Sequence, residues 1–400
     1  MSRHRADDDA RAPWQEGTRE ALAAAGLDLT WTRDLVLRTL SEDLGPQWRD
    51  VTTFATIPAG QESVAHVVAR AGGVVAGLQL VTVVLAEAAA RLGAPVPTAQ
   101  LRVADGTRVE AGEVLAVVNG STRVILVAER SLLNLIGRTS GIATHTATWS
   151  RALEGTGARV LDTRKTTPGL RALEKYAVRC GGGTNKRMGL YDVAMIKDNH
   201  KLAAGSLTAA YRSVLQAYPD VEIQVEVTSP EEAEEAVLAG ARFLLCDNMS
   251  PGPLAETVRR ARAATAEPVE LEATGGLTLD TAREYAETGV QYLSVGALTH
   301  SSAALDVALD LVVDADVARA ASFTQVWELV VAESAGDAPS GPAVADDAPS
   351  GPAVADDAAS EPEADGVPPA PDDAPSERET DGAADRPDDD TPEVSAAPAP

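Results

Sequence analysis

Residues Asp162 to His200 read DTRKTTPGLRALEKYAVRCGGGTNKRMGLYDVAMIKDNH. From Arg159 to Lys201 there are ten Lys and Arg residues and four Asp and Glu, in a chain of 400 residues whose formal net charge is −26. Solubility needs no such basic island when the rest of the chain already carries excess charge. A pocket that gathers several anionic groups does need one. Arg164, Lys165, Lys186, Arg187 and Lys197 combine forked, planar guanidinium recognition with ammonium point charge, which suits carboxylates and phosphates. Too few acids lie nearby in sequence to balance these cations as a purely structural network. Gly181 to Gly183 permit backbone conformations and close approach that a Cβ would block.

On both sides of this stretch, apolar runs end in polar residues. ARVLDTRK ends at Asp162, Thr163, Arg164 and Lys165, VAMIKD at Lys197 and Asp198, VEIQVEV with Glu226 and ARFLLCD with Asp247. VELEATGG ends with Glu272, Thr274, Gly275 and Gly276, and YLSVG with Ser294, Val295 and Gly296. Helical patterns lie between them. Ser229–Gly240 has a Ser cap, Pro in the first turn, early acids and a terminal Gly. Such alternation predicts parallel strands joined by crossover helices. Polar residues gathered at strand C-termini are the mark of a β/α barrel with its site on that face. Six such strands are evident, so a regular eight-stranded barrel is not demanded.

Residues 1–26 read as a flexible lead-in and 27–137 as an α+β domain. Within it, 61–70 alternate like a strand, Gly73–Leu92 reads as one long helix with Thr82 and Glu87 on its wetter side, and Asp105–Gly120 reads as two short strands around a Gly turn. That last hairpin superficially resembles a lipoyl or biotinyl half-motif, but it lacks the Lys such domains require. Val124–Gly137 reads as a helix, with another beginning at Ser140. Residues 138–302 are expected to form the barrel, and 303–330 a C-terminal helical segment packing back on the first domain. Residues 331–400 hold 19 acidic and 2 basic residues, 13 of the 24 prolines and a tandem DAPSGPAVAD. Such a composition predicts a disordered tail without an enzymatic role.

Cys180 and Cys246 form no CxxC pair or metal-spaced cluster, which favours a reducing compartment. MSRHRADDDA lacks an apolar signal core, and the most apolar stretch is interrupted by polar residues. A cytoplasmic protein with no membrane partner is expected. The acidic balance also argues against a nucleic-acid partner.

A rim holding those cations should bind an anion. Glu226, Asp247 and Glu272 on neighbouring strands would repel it unless a divalent cation or a sugar hydroxyl lies between. Gly275–Gly276 and Ser294–Gly296 can offer backbone N–H groups to a phosphate. Other readings stand beside these: Arg171 and Lys175 as a solvated helix face, Glu272 as the ion-pair partner of a neighbouring Lys, and Cys246 as a small core residue.

DTRKTTPGLR, EKYAV-x2-GGG-x-N-x-R-x-GL and IKDNH, in that order and spacing, resemble the quinolinate phosphoribosyltransferases, the decarboxylating nicotinate-nucleotide pyrophosphorylases of NAD biosynthesis. The resemblance runs from about Leu35 to about Ala308 and implies an α+β domain followed by an open, irregular α/β barrel of the type II phosphoribosyltransferase kind, with about seven strands. It implies phosphoribosyl transfer from phosphoribosyl pyrophosphate to quinolinate with loss of CO₂, giving nicotinate mononucleotide and pyrophosphate. Mg²⁺ would arrive with the pyrophosphate substrate, and no tightly bound organic cofactor is implied.

By motif, Arg164, Lys165 and Arg187 would hold the quinolinate carboxylates. Lys197 would contact substrate or phosphate. Glu226 and Asp247 would serve ribose hydroxyls and Mg²⁺, and with Lys165 they form the expected catalytic set. Thr163, Lys186, Thr274, Gly275, Gly276, Ser294, Val295 and Gly296 complete the substrate site. Arg130, in ERSLLN, resembles an Arg that reaches into the partner subunit's site, which implies a homodimer or a dimer-based assembly.

Two departures stand out. The family's N-H-R is Asn185-Lys186-Arg187 here, and its E-S-S-G-G is Glu272-Ala273-Thr274-Gly275-Gly276. Lys keeps a positive charge but loses the near-neutral titration of His. Two rival functions remain at this point: a sibling transferase using nicotinate, and a phosphate or nucleotide sensor on a retired barrel.

Overall fold

A computed structural model describes residues 14–312. The chain opens with α1 (Glu16–Ala24) and α2 (Leu29–Leu44). Residues 14–26 are therefore not a loose lead-in. Trp14 and Leu22 are buried, and the Trp14 indole donates to Glu87 Oε1 at 3.0 Å; residues 1–13 lie outside the described range. Asp28 and Asp50 cap α2 and α3 (Val51–Thr56) by accepting from backbone N–H groups.

Next come β1 (Glu62–Ala69), β2 (Gly73–Val74) and α4 (Gln79–Leu92). The expected Gly73–Leu92 helix starts six residues late. The Asp105 carboxylate accepts from the Gly77 and Leu78 N–H groups at 2.8 and 3.0 Å, fixing a turn there. Glu87 is not on a wet side either. It is buried and also accepts from Arg33 Nε at 3.0 Å. A strand that periodicity missed, β3 (Thr98–Leu101), precedes β4 (Arg108–Val109) and β5 (Val114–Ser121).

Then α5 (Thr122–Ala152) runs unbroken through the Gly137–Ser140 position where two helices were expected. The reason is that its two halves serve two cores. Val124 to Ile136 pack into the first domain, whereas Ile142, Ala143 and Trp149 pack into the barrel. Ser140 is not a start signal: its Oγ accepts from Ala76 N at 3.0 Å.

The barrel strands are β6 (Arg159–Leu161), β7 (Ala194–Ile196), β8 (Ile223–Val227), β9 (Phe243–Asp247), β10 (Glu270–Thr274) and β11 (Tyr292–Ser294). They form one parallel sheet in the order β6-β11-β10-β9-β8-β7. Burial on both faces explains why β9 is a nearly continuous apolar run, and in β8 it also encloses the polar Gln224 and Glu226. Thr184 makes a parallel bridge to Leu161, a stub of a seventh strand beside β6. The gap between Thr184 and β7 leaves the barrel open.

Crossover helices lie between the strands: α6 (Arg171–Cys180), α7 (Asp198–Ala204), α8 (Leu207–Ala217), α9 (Pro230–Ala239), α10 (Pro251–Ala263) and α11 (Leu279–Glu287). After the short α12 (Ala297–His300), the chain forms β12 (Val307–Val312). A helix was expected over 303–330. Its described part is instead a strand, because Val307, Leu309 and Leu311 alternate and pair antiparallel with β1, Ala69 opposite Val307 through Val64 opposite Val312. The chain thus returns to the first sheet, ordered β12-β1-β5-β3. Residues 313–330 and the acidic segment 331–400 lie outside the described residues.

Candidate active site

The C-terminal ends of the barrel strands surround a cleft of about 580 Å³. Every residue expected at the site lines it except two. Arg130 is exposed on α5, and Glu226 lies buried beneath Lys197, whose ammonium bonds its Oε2.

One wall is built by bringing two distant segments together. Thr184 N donates to Val160 O at 2.9 Å and Asp162 N to Thr184 O at 3.2 Å, so Asn185-Lys186-Arg187 lies beside Thr163-Arg164-Lys165. The glycine run makes this possible, since a Cβ on Gly181 would collide with the Ala143 carbonyl of α5. Beneath the wall, Lys175 and Asp162 form an ion pair with side chains 1% and 0% exposed. Asp162 also accepts from Lys186 N at 2.8 Å and Asn185 Nδ2 at 2.7 Å, and Lys175 Nζ donates to Lys186 O at 3.0 Å. Burial raises the pKa of Asp162 and lowers that of Lys175, and each group opposes the other's shift by attraction. Lys175 is therefore not on a solvated helix face. Arg171 braces the same wall, donating to Thr166 Oγ1 at 3.1 Å and Met188 O at 2.9 Å.

Among the described residues, Arg164, Lys165 and Arg187 make no ion pair with a carboxylate, whereas Lys175, Lys186, Lys197 and Lys201 all do. Burial, and then the neighbouring Arg164, lower the pKa of Arg187. Both guanidiniums line the same cleft. Lys186 differs: its ammonium lies 2.5 Å from both oxygens of Glu272, which is fully buried. Burial lowers the pKa of Lys186, and Glu272 works against that shift.

The opposite wall is polar backbone. Gly275 has φ +91°, and a Cβ there would collide with the Asn248 side chain. Thr299 Oγ1 donates to Lys165 O at 2.9 Å and fixes that residue beside Gly296. The Ser294 hydroxyl is buried and has no partner among the described residues. Asp247 lines the cleft, and among the described residues its carboxylate accepts only from Asn248 Nδ2, at 2.8 Å. No three His, Cys, Asp or Glu converge as a metal cage among the described residues. His200 accepts from Lys197 N at 3.0 Å and orients that loop. The Cys246 thiol, pushed up to about 12 by burial, is a core group.

Sequence reasoning missed the Asp162, Lys175 and Asn185 foundation, and also Asn248 and His300 in the cleft lining. It missed Arg138 as well, which bonds Glu174 at 2.8 Å and Ser302 O at 2.9 Å, tying α5 to α6 and to the segment after α12. Adjacent Glu174 and Lys175 on one short helix were the available signal. Both cannot face water if Leu173, Ala177 and Val178 face the core.

Family models of the quinolinate phosphoribosyl transferase N-terminal and C-terminal domains match residues 50–140 and 142–310. The chain is 46% identical over 279 residues to the nicotinate-nucleotide pyrophosphorylase (carboxylating) of Mycobacterium leprae (strain TN), covering 70% of this chain and 96% of that protein. It is 39% identical over 294 residues to quinolinate phosphoribosyltransferase (decarboxylating) 1 of Nicotiana glauca, covering 70% and 82%. The structure of NadC from Streptococcus pyogenes superposes with a TM-score of 0.67 at 34% identity, covering 72% of this chain and 99% of that one. No helix among the described residues is long and apolar enough to cross a membrane.

Proposed function

The chain belongs to the quinolinate phosphoribosyltransferase family, and from that premise we propose how its cleft divides the work of the reaction. The enzyme transfers the phosphoribosyl group of phosphoribosyl pyrophosphate to quinolinate and releases pyrophosphate and CO₂, leaving nicotinate mononucleotide. The observation that carries the site assignment is the set of three cations, Arg164, Lys165 and Arg187, left without a carboxylate partner in one cleft.

Quinolinate is a dianion, and its two carboxylates take these three cations by charge-assisted hydrogen bonds. Held there, the ring nitrogen faces C1 of the ribose. The nitrogen–C1 bond forms as the bond from C1 to the pyrophosphate oxygen breaks, and its electron pair leaves with pyrophosphate. The protein's contribution is positioning and charge placement. The ring carboxylate next to nitrogen then leaves as CO₂. The electron pair of that bond stays on the ring carbon and takes up a proton. Ser294 and the Gly275–Gly276 and Val295–Gly296 backbone face the 5′-phosphate. Asp247, free of any cationic partner, faces the ribose hydroxyls and the Mg²⁺ that travels with the pyrophosphate. Lys197 and Glu226 neutralise each other until substrate enters.

Arg130 supports a dimer. It is exposed, lies outside its own cleft, and sits on the long helix that carries the first domain into the barrel. In the assembly it reaches a partner's cleft and adds a further cation there.

The test is nucleotide formation from phosphoribosyl pyrophosphate and Mg²⁺ with either quinolinate or nicotinate, CO₂ being followed in parallel. Turnover with quinolinate and stoichiometric CO₂ is the expected result. Turnover with nicotinate alone would assign the three cations to a different acceptor.

A further inference from the structure

Lys186 follows the glycine run, and its ammonium is held by Glu272 below the rim of the cleft. Glu272 pairs across the sheet with Leu245 and Tyr292, whereas the rim residues Asp247 and Ser294 pair with Thr274, two residues further along β10. At about 3.3 Å per residue, Glu272 lies roughly 6–7 Å below that rim. The Lys186 ammonium follows it down. It sits 5.9 Å from the ring of Phe243, the first residue of β9 at the far end from the cleft, and Phe243 stacks on Tyr292. Lys186 and Glu272 both line the cleft, with side chains only 8% and 0% exposed.

Lys186 is fastened at three points: N–H to Asp162, C=O to Lys175 Nζ and ammonium to Glu272. Arg187 follows directly, and among the described residues its side chain makes a single hydrogen bond, to Val193 O at 3.0 Å. A residue clamped at both backbone groups and at its side-chain tip leaves its neighbour little freedom. We propose that Lys186 and Glu272 are a positioning pair: the ammonium stays on Glu272 inside the barrel, fixes the backbone that aims Arg187, and does not bind the carboxylates of the substrate. Within one protomer the anion site is then Arg164, Lys165 and Arg187, and the pair adds no net charge to the cleft floor. This inference rests on the assignment of the quinolinate carboxylates to those three residues.

The two roles separate in a double-mutant cycle, because a positioning pair is harmed by breaking it and a substrate-binding charge by losing it. Lys186→Met and Glu272→Leu each leave one buried charge unpaired. Each should lower both the melting temperature and kcat/KM for quinolinate, the latter by about tenfold or more. The double variant removes both charges and should return to within about threefold of wild type, with KM for quinolinate restored. A double variant as poor as Lys186→Met, with KM for quinolinate still raised, would overturn the proposal. Should a variant fail to fold, crystals of the wild-type enzyme with quinolinate decide. Lys186 Nζ remaining on Glu272 supports the pair, and Nζ within about 3.5 Å of a ligand carboxylate overturns it. If the wild-type enzyme turned over nicotinate alone, the functional reading would fall while the same cycle, read with nicotinate, still tests the pair.

Discussion

Lys175 of α6 and Asp162 at the end of β6 meet inside the protein, directly beneath the backbone of Lys186, with neither side chain in contact with solvent. Lys175→Met would strand Asp162 as a buried carboxylate. Its remaining donors, Asn185 Nδ2 and Lys186 N, carry no charge to offset it. The expected cost is about 3–5 kcal/mol of stability, read by urea unfolding. Loss of quinolinate turnover should accompany it, because the same carboxylate holds the loop that carries Arg187. A midpoint unchanged from wild type would show that the pair does not support the loop.

Ser294→Ala should separate binding from stability in the other direction. Its hydroxyl is buried without a partner, so removing it relieves an unsatisfied group, and thermal stability should be unchanged or slightly higher. The KM for phosphoribosyl pyrophosphate should rise about threefold to tenfold, the size of one neutral hydrogen bond, with the KM for quinolinate unaffected. Steady-state kinetics with each substrate varied in turn checks both halves of this expectation.

Arg130→Ala and Lys165→Ala should each be nearly inactive alone. Mixed after brief dissociation, they should form hybrid dimers in which one site has both residues and the other has neither. Random pairing of equal amounts predicts recovery of about one quarter of wild-type activity. No recovery, with hybrids confirmed by native mass spectrometry, would remove Arg130 from the neighbour's site.

His145 gives a pH dependence of known sign. His145 is a residue of α5; its Nε2 accepts from Trp149 Nε1 of the same helix at 3.2 Å, and its Nδ1 shares a hydrogen bond with Ser302 Oγ, beyond α12, at 2.8 Å. Burial lowers its pKa below the usual 6.5. Below 6.5 the unfolded chain therefore binds a proton that the folded chain refuses. The stability contribution is present above 6.5 and is lost as pH falls through the folded value. The melting temperature should drop between pH 7 and 5 in the wild type and less steeply in His145→Gln. Parallel curves would mean that other groups set the acid limb.

How much was legible follows the range over which each signal acts. β9 could be read because a parallel strand is buried on both faces and appears as an apolar run that ends abruptly at a polar residue, whereas β8 and β10 carry Gln224, Glu226 and Glu272 within their buried spans. The helices Pro230–Ala239 and Pro251–Ala263 could be read because Ser followed by Pro in the first turn is a local start signal, although only Ser229, and not Ser250, accepts a capping hydrogen bond. Gly73–Leu92 misled because its turn is fixed by Asp105, about thirty residues away. The helix Thr122–Ala152 misled because its polar Ser140 serves Ala76 rather than starting a helix. The strand Val307–Val312 had the right period, but its partner strand β1 lies about 240 residues earlier.

The sequence by itself determined the family, the alternation of strands and helices, and the basic island that marks the anion site, since motif order and charge are properties of the chain. Only the tertiary structure decided which of those cations are available. Lys175, Lys186 and Lys197 are neutralised by Asp162, Glu272 and Glu226, whereas Arg164, Lys165 and Arg187 are left for a ligand. The physical reason is that pairing is settled by distance in space. These carboxylates stand on strands up to 86 residues from the cations they cancel, a separation that sequence order does not convert into contact.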